Sequence, residues 1–393
     1  MIESLYLAWQ YIRFNKIKTV ILVASITLIA VLPLALEILL SESERQLLDR
    51  AESTPLLVGA KGSSLDLAMN SLYFDDEVPE PISMAAVERI HDTDLALPIP
   101  LYVRFQARGL PIVGTTFDYF DFRNLKIAQG HSLTMLGDCV LGAKAAARLG
   151  VGPGDNLVSS PENLFDLAGV YPLKMKVVGV LAPNHSADDL AVFVDIKTAW
   201  VIQGLGHGHE DITRTRDSTV VLKRSEGNVV ANAKLFHYTE ITEENLDGFH
   251  FHGDTSIYPV TAVITVPHDE KSGTLLRGRY LESEDAQQII LPAEVIDGLL
   301  QNIFLIRNVL DAVIALVGLA TVLVILLVFA LSLRLRQREI QIIFKLGCRK
   351  AMIGRMLLAE ILIVLLVSGV LCSAVLGVVD VNAEELVRRL FVG

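Results

Sequence analysis

Three stretches of this 393-residue chain contain no charged residue: 18 residues at 19–36, 22 at 312–333 and 19 at 361–379. A helix needs about 20 apolar residues to cross a bilayer core, where every backbone polar group must be satisfied internally. A buried core helix explains one such run in a soluble protein, but not three of this length. The chain therefore reads as an integral membrane protein with three helical spans. The first run carries Pro33 and continues through Glu37 into a polar segment, which predicts a retained helix and not a cleaved leader.

Charge gives the orientation. Arg13, Lys16 and Lys18 precede the first run, and Arg334, Arg336, Arg338, Lys345, Arg349, Lys350 and Arg355 fill the gap between the second and third against only Glu339 and Glu360. Both basic segments belong on the cytoplasmic side by the positive-inside rule, which leaves residues 41–300 on the far side. That stretch holds 37 Asp plus Glu against 21 Lys plus Arg, a net of −16, whereas the whole chain carries −11. An acidic outer domain has no basic groove for nucleic acid; it suits cationic or polar partners, and it also serves plain solubility. Cys139, Cys348 and Cys372 are far apart and form no CxxC, so neither a disulfide framework nor a cysteine zinc site is indicated.

Within the outer segment, residues 39–51 alternate Leu with Glu, Arg and Gln, as a helix continuing above the membrane as a stalk would. Strand-like runs follow at 55–59, 96–105, 110–114, 174–181, 191–195, 218–222 and 259–267, with helical patches at 83–90 and 142–149. In LGAKAAARLGVGPGD, at 141–155, Gly150 should stop a short helix and Gly152, Pro153 and Gly154 should turn the chain. Pro292 can open a second stalk helix over 292–310. The expected fold is a transmembrane helical bundle carrying a large α+β extracytoplasmic domain on helical stalks.

Between the second and third runs the sequence reads RLRQREIQIIFKLGCRKAMIGRMLLAE, at 334–360. This resembles the R-x-R-E-I…K/R-x-L-G-A/C…I…E signature of permease subunits of the MacB/FtsX/LolC-like, or type VII, ABC transporters. Three other stretches agree: AWQYIRFNKIKTVILVASITLIA, VGAKGSSLDLAMNSLYF at 58–74, and the LG…LGVGPGD run followed by KVVGVL and DDLAVFV. The resemblance implies a permease, paired with a second copy as a homo- or heterodimer, that binds a cytoplasmic ABC ATPase dimer and passes ATP-driven motion to a periplasmic domain. Efflux, lipoprotein or lipid extraction, or activation of a partner would follow, with a periplasmic adaptor or lipoprotein as a further partner. ATP and Mg would sit on the ATPase, with no cofactor intrinsic to this chain. The location implied is a bacterial inner membrane, with the large domain in the periplasm.

The expected organisation is a cytoplasmic segment 1–18, a transmembrane helix 19–40 and an extracytoplasmic domain 41–300 with porter-like halves 50–117 and 226–300 around an inserted module 118–225. A stalk end and second helix at 301–333, a cytoplasmic coupling loop 334–355, a third helix 356–379 and an amphipathic tail 380–393 complete it. Type VII permeases have four membrane helices; here three runs predict three spans, with the C terminus outside or at the interface.

ATPase coupling is assigned to Arg338, Glu339, Ile340, Ile343, Phe344, Lys345, Leu346, Gly347 and Arg349, since this amphipathic stretch can set apolar residues in a partner's groove while its bases meet acidic rims or lipid head groups. Neither G-x-x-x-x-G-K-[ST] nor G-x-S-x-G nor H-E-x-x-H occurs, so the chain is not expected to be an enzyme. All nine histidines lie in the outer segment, among them His207 and His209 in GHGHED and His250 and His252 in FHFHGD. The H-x-H pairs either bind zinc, giving a metal-responsive binding or sensing module as the alternative function, or are ordinary polar loop residues.

Overall fold

The computed structural model describes residues 2–160, 172–208, 221–225, 228–231, 239–282, 286–335, 337, 341–342, 345 and 350–391. The chain divides into two compact units, residues 1–47 with 300–393, and residues 48–299.

The first unit is helical. It contains α1 (Ile2–Phe14), most of α2 (Lys16–Glu52), most of α9 (Pro292–Leu335) and α10 (Lys350–Phe391), with α1 packed on α10. Leu28, Leu32, Leu323, Leu327, Leu366 and Val370 are exposed on these helices, an outward-facing apolar surface that water does not favour. Among the described residues two helices are long and apolar enough to cross a membrane, Lys16–Glu52 and Leu358–Ala383, beside a shorter apolar stretch at Ala312–Val324. Helix α2 continues without a break through the predicted extension at 39–51, and α9 opens on Pro292, whose fixed φ and missing N–H suit a first helical turn.

The second unit is built on one sheet, eleven-stranded among the described residues. At its centre β3 (Ala96–Ala107) pairs antiparallel with β4 (Leu110–Thr115) and with β16 (Ala262–Pro267). Strand β1 (Leu56–Ala60) lies between β16 and β17 (Gln287–Ile290). On the other side β4 runs parallel to β9 (Val192–Asp195), followed by β6 (Asp138–Leu141), β8 (Leu173–Leu181) and the two-residue β13 (Thr239–Glu240). Short strands β5 (Ile127–Gly130) and β7 (Asn156–Val158) also pair with β8. Two-stranded ladders join β2 (Ile82–Ser83) to β15 (Pro259–Val260), β10 (Gly206–Gly208) to β14 (Phe249–Phe251), and β11 (Val221–Ser225) to β12 (Asn228–Ala231).

Alternation explains the strand faces. In β8, Met175 and Val177 point into the core while Lys176 is exposed. Helices α3 (Ser64–Tyr73), α4 (Ala85–His91), α7 (Ile196–Ile202) and α8 (Glu270–Glu282) cover the sheet, and α5 (Phe117–Phe122) and α6 (Ala143–Leu149) follow β4 and β6. Helix α6 ends at Gly150 in the left-handed conformation, as the spacing predicts. Of the strand expected at 218–222, Val221 and Leu222 lie in β11, which runs on to Ser225; residues 218–220 lie outside the described residues.

Candidate functional site

The last turn of α2 enters the second unit and carries a charge into its interior. Arg50 is 8% exposed and Asp188, in the short 3-10 turn Ala187–Leu190, is fully buried. The guanidinium grips the carboxylate with both terminal nitrogens, Nη1 to Oδ2 at 2.9 Å and Nη2 to Oδ1 at 2.9 Å, the fork geometry that makes Arg–carboxylate pairs strong and directional. Its Nε donates to the carbonyl of Leu72 in the last turn of α3, where a cation is favoured by the helix dipole. Phe74 caps that helix with φ 61, a left-handed position usually taken by glycine, and sets its ring 5.5 Å from the Arg50 guanidinium carbon.

Asp188 is equally occupied. The Tyr119 hydroxyl donates to Oδ1 at 2.7 Å and the Ser186 hydroxyl to Oδ2 at 2.9 Å. Burial alone would raise this carboxyl, but the Arg50 charge and the hydrogen bonds from Arg50, Tyr119 and Ser186 outweigh it and hold it at about 2. The Tyr119 phenol moves the other way, pushed up by burial and by the Asp188 charge, so it stays a donor. A second cation, Arg123, donates to Ser53 Oγ at 2.9 Å and Thr54 Oγ1 at 2.7 Å and so holds the chain just beyond α2. Burial and the nearby Arg50 charge lower its pKa.

Gly142 makes the geometry possible. A Cβ there would lie 2.2 Å from the Asp188 carbonyl oxygen, so only glycine lets the start of α6 approach this turn. Asp189 completes the turn by accepting the backbone N–H groups of Asn184 at 2.8 Å and His185 at 3.0 Å. Four chain segments, at 50–54, 72–74, 119–123 and 184–189, thus meet around one bidentate ion pair. Chemically the arrangement can hold and orient the end of α2.

Sequence reasoning missed this cluster. The segment NHSADD reads as a polar spacer between two apolar strands, and its signal was the Ser-x-Asp capping pattern squeezed between KVVGVL and LAVFV, where a polar turn has little room to be solvated. Of the predicted coupling residues, Lys345 is helical and exposed; Arg338, Glu339, Ile340, Ile343, Phe344, Leu346, Gly347 and Arg349 lie outside the described residues. Of the predicted metal residues, His207 pairs with His250 in the β10–β14 ladder, and the rings of His250 and His252 lie 4.6 Å apart; His209 is outside the described residues. Cys139 is buried, and burial pushes its thiol up, so it is no reactive thiolate.

Comparison with known proteins places these features. Residues 22–234, more than half of the chain, match the family model of the MacB-like periplasmic core domain. The periplasmic region of MacB from Actinobacillus actinomycetemcomitans is 12% identical, with 63% of this chain and 93% of that one covered and a TM-score of 0.35. The extracellular domain of the noncanonic ABC-type transporter YknZ from Gram-positive bacteria is 11% identical over 60% of this chain and 98% of that one, with a TM-score of 0.33. No curated protein matches by sequence. The assignment rests on the family model, whose span runs from inside the first apolar helix through most of the second unit: this chain is a membrane protein with an extracytoplasmic α+β domain and belongs to the MacB/FtsX-like family of ABC transporter permeases.

Proposed function

We propose that the chain spans a bacterial inner membrane three times and converts ATP hydrolysis by a separate cytoplasmic ATPase dimer into motion of a periplasmic outer domain. It acts beside a second permease copy, with residues 338–349 docking the ATPase and the ends of α2 and α9 serving as stalks. The observation that carries this reading is helix α2. One unbroken helix holds the first apolar run and ends on the buried Arg50–Asp188 pair, so a displacement along its axis has a fixed point of application. A helix end held only by exposed side chains would slip under load, since surface ion pairs contribute little.

Co-purification with a co-expressed candidate ATPase from detergent tests the proposal. Wild type is expected to retain the ATPase and stimulate its hydrolysis, and Phe344→Asp and Leu346→Asp to lose both. Failure of the wild type to bind or stimulate any ATPase encoded beside it would refute the permease role, and retention by both variants would refute docking through 338–349.

A further inference from the structure

Helix α1 packs against α10, and its Tyr11 and Ile12 are half-buried. Tyr6, Trp9, Gln10 and Arg13 recur at spacings of three and four, which sets them along one helical stripe, and all four are exposed, Tyr6 at 62% and Trp9 at 54%. The Gln10 amide donates to the Tyr6 hydroxyl oxygen at 3.1 Å, so two polar ends of the stripe lie side by side. Asn15 then separates α1 from α2, with Phe14 exposed at 88% before it and Ile17 at 78% after it. Apolar side chains this open favour lipid over water.

Position decides what covers the stripe. Arg13, Lys16 and Lys18 are exposed and fall within six residues of the charge-free run that begins at Thr19. At about 1.5 Å per helical residue the farthest of them lies no more than about 9 Å from the start of that run, which is the depth of a lipid headgroup layer. Trp and Tyr settle at that level because their rings are apolar at one end and polar at the other. The segment before the run carries three bases against the single acid Glu3, and among the described residues none of the three pairs with a carboxylate. Anionic lipid attracts bases placed so. We propose that α1 binds an anionic phospholipid headgroup, with Arg13 and Lys16 holding its phosphate and Tyr6 and Trp9 packing beside it. A guanidinium matches two phosphate oxygens at once, and a lysine three residues on adds a second charge. Phosphatidylcholine has the same phosphate, but its own ammonium group competes with these bases, so a preference for net negative headgroups follows. The proposal rests on the first apolar run lying in the membrane and is independent of ATPase coupling.

The test uses the full chain in nanodiscs of phosphatidylcholine carrying rising fractions of either brominated phosphatidylglycerol or brominated phosphatidylcholine, and reads the quenching of Trp9. The chain has two tryptophans, so the signal of Trp9→Phe, which retains Trp200, is subtracted. In wild type the apparent affinity of phosphatidylglycerol for this position is expected to exceed that of phosphatidylcholine by about 10-fold at low salt, and less as salt rises. The preference should fall below about 2-fold in Arg13→Gln/Lys16→Gln, whereas Lys61→Gln, at an exposed base of the outer unit, should keep it. Equal quenching by the two lipids in wild type would mean contact without headgroup recognition and would overturn the proposal. Absence of quenching by either would overturn it as well, by placing Trp9 under protein. A preference unchanged in the double variant, with a native circular dichroism spectrum, would overturn the roles of Arg13 and Lys16. No ATPase is present, so failure here and failure of the coupling reading are told apart.

Discussion

The outer unit holds two polar clusters of opposite design. Around Arg50 and Asp188 charges are buried and each is gripped by several groups; at β14 and just beyond it His250 is half-buried and His252 exposed, while Phe251 packs edge-on against Trp200. A buried, internally bonded charge costs much to disturb and offers nothing to a ligand. Side chains at a solvent-facing edge cost less to change. Polar residues in a membrane permease's outer domain thus divide by what faces them more than by residue type.

The sharpest way to break this contrast is Asp188→Ala, which leaves Arg50 buried beside empty space. We expect a loss of about 3–5 kcal/mol, measured by urea unfolding of the full chain in detergent with Trp200 fluorescence reporting the outer unit. Arg50→Met combined with Asp188→Leu should cost less than the sum of the two single changes; strict additivity would mean that the pair is not coupled. Gly142→Ala comes next at about 2–3 kcal/mol, because the new methyl must push the Asp188 turn away. A cost below about 0.5 kcal/mol would show that the turn gives way freely.

Acid makes the third test. The folded carboxyl of Asp188 sits at about 2, below its ordinary value of 3.8, so its stabilisation is complete above that ordinary value and is lost as pH falls toward about 2. The urea midpoint of wild type should therefore drop across that window by the equivalent of about 2 kcal/mol, and that of Asp188→Asn should drop less. Tyr119→Phe removes one donor from Asp188 and one acceptor from Arg50, for about 1 kcal/mol. The smallest effect belongs to the other cluster: His250→Asn/His252→Asn should change stability by less than about 0.5 kcal/mol. A large loss there would make those histidines structural and erase the distinction.

Much of the fold was legible because it follows local rules. The apolar runs, the alternation of β8, the α6 stop at Gly150 and the Pro292 helix start all depend on residues within a few positions of one another. The joint around Arg50 was not legible, since its partners are 22, 69 and 138 residues away and no local pattern links an Arg in RQLLDRAE to an Asp in SADD. The histidine pair stood between these cases. H-x-H on a strand predicts a shared face, but the facing of His207 and His250 depends on a ladder that spacing does not specify. Strands β5, β6, β7 and β17 escaped notice: each is only three or four residues long and, unlike the equally short but wholly apolar start of β9, mixes polar with apolar residues, as in IAQG, DCVL, NLV and QQII.

Strand β1 begins the outer sheet in sequence, yet its partners β16 and β17 are, among the described residues, the last two strands of that unit. During biosynthesis Leu56–Ala60 must wait, with both edges unpaired, for more than 200 residues to follow before Ala262–Pro267 can join it. Closure of the sheet is therefore a late event, and slow by the rule that distant pairings delay folding. An apolar strand held open for that interval is a target for aggregation or for a holding chaperone, and its tether to α2 confines that exposure to the first few residues beyond the helix.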